Sequence, residues 1–258
     1  LEIAKKDNKG NFVPNTSFKI SYNSDMSDDL GTYRTGANGK VTIDKLKPTT
    51  IYIQEVSVPK HLILDSTIKS TKINPAETTS FVATNNWKQG KIKVVKKDSE
   101  TGKVVKQAGV AFDIYNSNNQ KVTSITTNNE GVAISPLLDY ANYFVKESKA
   151  PNKYTVQVKV SENIGVVENG KVYEISVLNT RVKGSISISK EDTETGKKAQ
   201  GEATLIGAVY GLYAREDILD PADNGVIYKD NAKVGELVTD NNANASMNNL
   251  YVGKYFIK

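Results

Sequence analysis

The chain contains no cysteine. That excludes disulfides, iron–sulfur clusters, thiolate zinc sites and cysteine nucleophiles. Histidine occurs once, as His61 in a lysine-bearing loop. This leaves too few imidazoles for the usual His-based metal sites or a Ser-His-Asp triad, and a lone histidine of this kind is expected to be solvated. No metal and no cofactor are expected. Arginine is scarce, with only Arg34, Arg181 and Arg215. Nucleic-acid interfaces cluster arginine beside stacking aromatics; here lysines alternate with acids and Ser/Thr/Asn, as on a solvated sheet face, so no nucleic-acid partner is expected. No apolar run approaches the roughly 20 residues of a membrane span, and no membrane insertion is expected. No segment sustains a helical apolar stripe beyond about two turns.

What is present is a chain of 258 residues, 38% hydrophobic and 24% charged, with a net charge of +5. Such a composition supports packed cores rather than disorder. It opens and closes inside strand-like patterns, so it reads as a piece of a longer protein. Three segments begin alike: Leu1-Glu-Ile-Ala-Lys5-Lys-Asp7, Ile92-Lys-Val-Val-Lys96-Lys-Asp98 and Ile186-Ser-Ile-Ser-Lys190-Glu-Asp192. Each continues through a glycine turn into a strand bearing an aromatic: Phe18, Phe112 or Tyr210. A later strand also repeats, as Ile51-Tyr-Ile53-Gln-Glu55, Tyr143-Phe-Val145-Lys-Glu147 and Tyr255-Phe-Ile257-Lys258. The first two repeats close on Phe81-Val-Ala83-Thr-Asn85 and Ile175-Ser-Val177-Leu-Asn179.

Agreement at this many offsets defines modules at 1–88 and 89–182, and an incomplete one at 183–258 with an insertion near 214–234. The acids Asp217, Asp220 and Asp223 of that insertion lack EF-hand spacing, and an Asx/Pro turn is the better reading. Period-2 alternation broken by Asn/Gly/Pro/Ser turns predicts an all-β fold: tandem antiparallel β-sandwiches of prealbumin or immunoglobulin type.

Alternation also assigns faces, since residues i, i+2 and i+4 share one side of a strand. Lys5 falls on the face of Leu1 and Ile3, and Lys96 on that of Ile92 and Val94. Glu55 and Glu147 fall with Ile51/Ile53 and Tyr143/Val145. Asn85 and Asn179 fall with Phe81/Ala83 and Ile175/Val177. Each complete module thus points one lysine, one glutamate and one asparagine from apolar faces. Three readings follow. The groups sit in water at the sandwich rim, or they form a buried ion pair satisfied by the asparagine, or they react. Burial favours the neutral amine and the protonated carboxyl. A neutral amine can attack the carboxamide while the acid relays the proton to departing ammonia, making a Lys–Asn amide once per module.

The ordered set of Lys-x-Asp in the first strand, Phe-x-Ile in the second, Glu-x-x-x-Pro (Glu55…Pro59, Glu147…Pro151) and the terminal Asn85 and Asn179 resembles the Cna B-type (SpaA-like, prealbumin-like) repeats of Gram-positive surface adhesins and pilins. The resemblance covers essentially the whole chain. It implies autocatalytic isopeptide bonds Lys5–Asn85 and Lys96–Asn179, assisted by Glu55 and Glu147. Lys190 is left as an unpaired candidate. It further implies a stalk or adhesion module rather than a turnover enzyme, extracellular and wall-anchored through a segment outside this chain. Its partners would be a host-surface or extracellular-matrix ligand, or other pilin subunits. The competing function is an accessory ligand- or carbohydrate-binding sandwich of a secreted enzyme. Exposed aromatics would favour it, but the single Trp87 lies at a joint, where packing between domains is expected. Lys60, in Val56-Ser-Val-Pro-Lys60, only faintly matches a pilin polymerisation lysine and is expected to be a solvated loop residue.

Overall fold

The computed structural model describes residues 1–156, 161–196 and 198–258. Every helix or strand among them is a strand, which bears out the all-β expectation. None of the described residues forms a helix long and apolar enough to cross a membrane. Two compact units are present. One holds Leu1–Lys91 with 136–143 and 163–173, and the other holds 92–135, 144–162 and 174–258.

The first repeat contributes β1 (Glu2–Asp7), β2 (Ser17–Ser21), β3 (Asp29–Arg34), β4 (Lys40–Thr42), β5 (Thr50–Ser57), β6 (Lys69–Lys72) and β7 (Ser80–Asn85). They form two sheets, β4-β1-β7 and β3-β2-β5-β6. The inward faces meet in a core of Leu1, Ile3, Phe18, Ile20, Ile43, Ile51, Ile53, Ile73 and Ala83. Each large side chain buried there contributes about 1.5–3 kcal/mol. One pairing departs from the antiparallel expectation. β1 and β7, the first and last strands, run parallel, with Lys5 opposite Ala83 and Asp7 opposite Asn85. Parallel pairing needs a long crossover, and the rest of the module supplies it.

The second repeat contributes β8 (Gln89–Asp98), β9 (Ala111–Asn116), β10 (Lys121–Thr126), β11 (Val132–Ile134), β12 (Leu138–Asp139), β13 (Ala141–Lys149), β14 (Ile164–Val166) and β15 (Val172–Asn179). Its sheets follow the same plan: β11-β8-β12 with β15 also on β8, and β10-β9-β13-β14. Ile92, Val94, Phe112, Ile114 and Val145 are buried, at positions that match Leu1, Ile3, Phe18, Ile20 and Ile53 of the first repeat.

The third segment contributes β16 (Lys183–Ser189), β17 (Val209–Ala214), β18 (Ile218–Leu219), β19 (Val226–Tyr228), β20 (Lys233–Val238), β21 (Asn244–Tyr251) and β22 (Tyr255–Ile257). The β16-β21 and β20-β17-β22 sheets reproduce β1-β4 and β3-β2-β5. No described strand lies beside β16 in the place that β7 takes beside β1. Ile186 and Ile188 are therefore only half-buried, whereas Ile3 and Ile92 are fully buried. The insertion is a β18–β19 hairpin whose tip is an Asx turn: Ala222 N donates to Asp220 Oδ1 at 2.9 Å, and Asn224 N donates to Asp220 O at 2.8 Å.

Candidate functional site

The sites grow out of strand alternation. β5 buries Ile51, Ile53 and Glu55 in succession and leaves the residues between them half-exposed. β13 does the same with Tyr143, Val145 and Glu147. In β1 and β8 the buried set runs through the lysine to the aspartate two residues on. A glycine carbonyl holds each lysine in register: Lys5 N donates to Gly39 O at 2.8 Å and Lys96 N to Gly131 O at 2.9 Å. Both glycines have positive φ, +68° and +70°. A Cβ on Gly39 would lie 2.7 Å from Val13 N, and one on Gly131 2.1 Å from Val105 O. The close backbone approach beside each lysine therefore requires glycine.

Lys5 and Lys96 are both 0% exposed, and their partners Glu55, Asn85, Glu147 and Asn179 are also buried. In the first site Lys5 Nζ lies 3.9 Å from Glu55 Oε1 and donates to Lys6 O at 2.7 Å. Asn85 Nδ2 donates to Glu55 Oε2, and to Ile63 O at 2.6 Å. Asp65 N also donates to Glu55 Oε2, at 3.1 Å. Glu55 Oε1 receives no hydrogen bond from the described residues. In the second site Lys96 Nζ donates to Asn179 Oδ1, and to Val177 O at 2.7 Å. It lies 3.5 Å from Glu147 Oε1. Asn179 Nδ2 donates to Glu147 Oε2 at 2.8 Å and to Thr155 O at 2.7 Å. In both, one carboxyl turns Oε1 to the amine and Oε2 to the carboxamide nitrogen.

Burial sets the electrostatics. It pulls the Lys96 pKa down to about 8, against the opposing attraction of Glu147. It lowers Lys5 as well, with Glu55 and then Asp7 opposing. The rim-in-water reading of these six residues does not hold; the structure brings Lys5, Glu55 and Asn85 together, and likewise Lys96, Glu147 and Asn179. Lys190 differs. It is half-buried, with Nζ 5.9 Å from the Tyr210 ring centroid, and its backbone N donates to Ala243 O, where the other modules use glycine.

The Lys-x-Asp pattern by itself gives its aspartates no role. Asp7 and Asp98 are buried beside the sites. Asp7 accepts from Trp87 Nε1 at 2.9 Å. Asp98 accepts from Tyr154 Oη at 2.6 Å and from Arg181 Nε. Burial pushes each carboxyl up, but those bonds and the adjoining backbone and side-chain donors outweigh it and hold both at about 2. The signal was available for two of these donors: each aspartate is at i+2 from the lysine, and Trp87 and Arg181 are each at i+2 from the asparagine.

Trp87 contacts residues of the first repeat, two of which, His61 and Lys9, also meet Tyr140 and Asp139 of the second. His61 lies against its ring at 4.4 Å, Lys9 Nζ stands 3.9 Å over it, and Leu62 bridges to its backbone. With both ring and N–H engaged, it is no open stacking platform. His61 is correspondingly half-buried rather than solvated, and burial lowers its pKa. The three aspartates singled out in the insertion are each taken by a cation: Asp217 by Lys229, Asp220 by Arg181 and Asp223 by Lys103. No cluster suited to a metal ion occurs among the described residues.

A family model described as the SpaA prealbumin-like fold domain matches residues 1–87 and again 90–181. The chain belongs to this family, in two tandem copies. No curated protein matches it in sequence. Among solved structures, the Bacillus anthracis TIE protein shares the fold over 100% of this chain and 44% of its own, with a TM-score of 0.77 and 23% identity. The chain thus spans less than half the length of that protein. The minor pilin GBS52 of Streptococcus agalactiae overlaps 70% of this chain and 96% of its own, with a TM-score of 0.35 and 13% identity. A C-terminal fragment of the pilus adhesin SpaC from Lactobacillus rhamnosus GG overlaps 69% and 95%, with a TM-score of 0.42 and 17% identity.

Proposed function

We propose that this chain is a structural stalk segment of a surface-exposed pilin or adhesin, and that its first two modules lock themselves with Lys5–Asn85 and Lys96–Asn179 amide bonds. One observation carries the reading: in both modules a buried lysine, glutamate and asparagine converge from three strands, with the two carboxyl oxygens facing the two nitrogens that would exchange a proton. The Lys96 Nζ lone pair attacks Asn179 Cγ and forms the new C–N bond. Glu147 takes a proton from Nζ through Oε1 and returns one to Nδ2 through Oε2. The Cγ–Nδ2 bond breaks and ammonia leaves. Lys5, Glu55 and Asn85 repeat the step. Each enzyme-like group acts once, so there is no turnover. The module would bear load outside the cell and contact a host-surface or matrix ligand or further pilin subunits, anchored by a segment beyond these residues. Lys190 would stay unreacted within residues 1–258.

Attack requires the neutral Lys96 amine, and burial brings its pKa down to about 8. In freshly refolded protein, ammonia release from the second module is expected to rise about tenfold per pH unit below about 8 and to level off above it. Tryptic digestion then yields a branched peptide joining the Lys96 and Asn179 segments. A rate that falls as pH rises through 8 would contradict attack by the free amine; an unbranched digest would remove the reaction.

A further inference from the structure

The β18–β19 hairpin has no counterpart in the first two repeats, and its tip is buried against the second repeat. Ala222, at the tip, is 1% exposed and clusters with Val105 and Tyr154. Backbone and side chain both hold it: Lys106 N donates to Ala222 O at 2.8 Å, and Gln107 Nε2 donates to Pro221 O at 2.8 Å. At the centre lies Arg181, buried between two carboxylates. Nε reaches Asp98 in the second repeat, and one terminal nitrogen donates to Asp220 of the hairpin at 2.8 Å. Lys103 pairs with Asp223 at 2.8 Å, and Lys183, in β16, pairs with Glu100 at 2.9 Å. The partners are complementary in charge across the whole contact.

We infer that the hairpin Ile218–Tyr228 is a docking finger that locks the third module onto the second, with Arg181 as the shared bolt, so that the two move as one rigid body. In the first repeat the residue equivalent to Arg181 is Trp87, which caps Asp7 but has no second donor arm to extend to a neighbour. Arg181 does both: it closes the end of its own module and holds the next. Burying a guanidinium is costly unless each face is paired, so the finger and the arginine depend on one another. Without the finger, the chain between Arg181 and Lys183 would be a pivot. With it, a pull on β16 enters the second module along a fixed direction, beside Lys96 and Asn179. This inference does not require those two residues to react.

The test uses the full 258-residue chain. Asp220→Asn removes the charge facing Arg181 but keeps the side-chain oxygen that accepts from Ala222 N, so the turn is retained. Hydrogen exchange of the Lys106 amide is expected to be slow in the parent and at least tenfold faster in Asp220→Asn, with the Ile114 and Leu212 amides of the two cores unchanged. Because the chain has no cysteine of its own, spin labels at Asn118→Cys and Asn242→Cys read the geometry directly. A single narrow distance distribution is expected in the parent and a broadened one after Asp220→Asn. A broad distribution in the parent overturns the rigid lock. An unprotected Lys106 amide in the parent, or one indifferent to Asp220→Asn, overturns the role of the finger.

Discussion

Replacing Glu147 by alanine is expected to lower the melting transition of the second module by on the order of 20–35 °C. A crosslink closing a loop of 83 residues, the separation of Lys96 and Asn179, removes denatured-state entropy equivalent to about 4–5 kcal/mol. For a domain of this size each kcal/mol corresponds to about 4–8 °C. The variant also leaves the Lys96 amine buried with one fewer partner, which adds to the loss. Lys96→Met separates the two effects. It removes the bond and the buried charge together at similar volume, so it should lose the crosslink contribution while avoiding the penalty of a stranded amine. Calorimetry of the two variants against the parent provides the comparison. A transition unmoved in Glu147→Ala would mean that no covalent link had contributed.

The second large effect is mechanical. β1 and β7 run parallel, so a pull on the two ends of the first module shears their ladder, and the same end strands of the second module, β8 and β15, are paired. A covalent Lys96–Asn179 link joins those end strands and leaves everything between them out of the load path. In single-molecule stretching the parent second module should give no unfolding step for residues 96–179. Asn179→Ala should release one of roughly 280 Å, at about 3.4 Å per residue over those 83 residues. A step of that length in the parent would show that tension runs through the hydrogen-bonded ladder.

Much of this was legible before any coordinates. Period-2 alternation alone placed Lys5, Glu55 and Asn85 on apolar faces, because a one-residue slip would turn every isoleucine of the same strand outward. The third repeat, in which Lys190 is followed by Glu191 and not by a second lysine, distinguishes Lys5 from Lys6 and Lys96 from Lys97. What could not be read depends on pairing between distant segments. Strand alternation is blind to direction, so the parallel β1–β7 register was missed. It is equally silent on Tyr154, which reaches Asp98 from 56 residues away. The Asp220 turn is legible in the sequence and its burial is not, because a polar hairpin tip looks solvated until a buried arginine meets it. His61 is expected in solvent for the same reason, and it is half-buried because it lies against Trp87.

The central claim is that two amide bonds form within the first two modules, and the intact mass of the folded, purified chain tests it most directly. The account predicts a deficit of two ammonia molecules, reduced to one in Glu55→Ala or in Glu147→Ala and to none when both are replaced. A folded parent whose mass equals that of the unmodified sequence would contradict it.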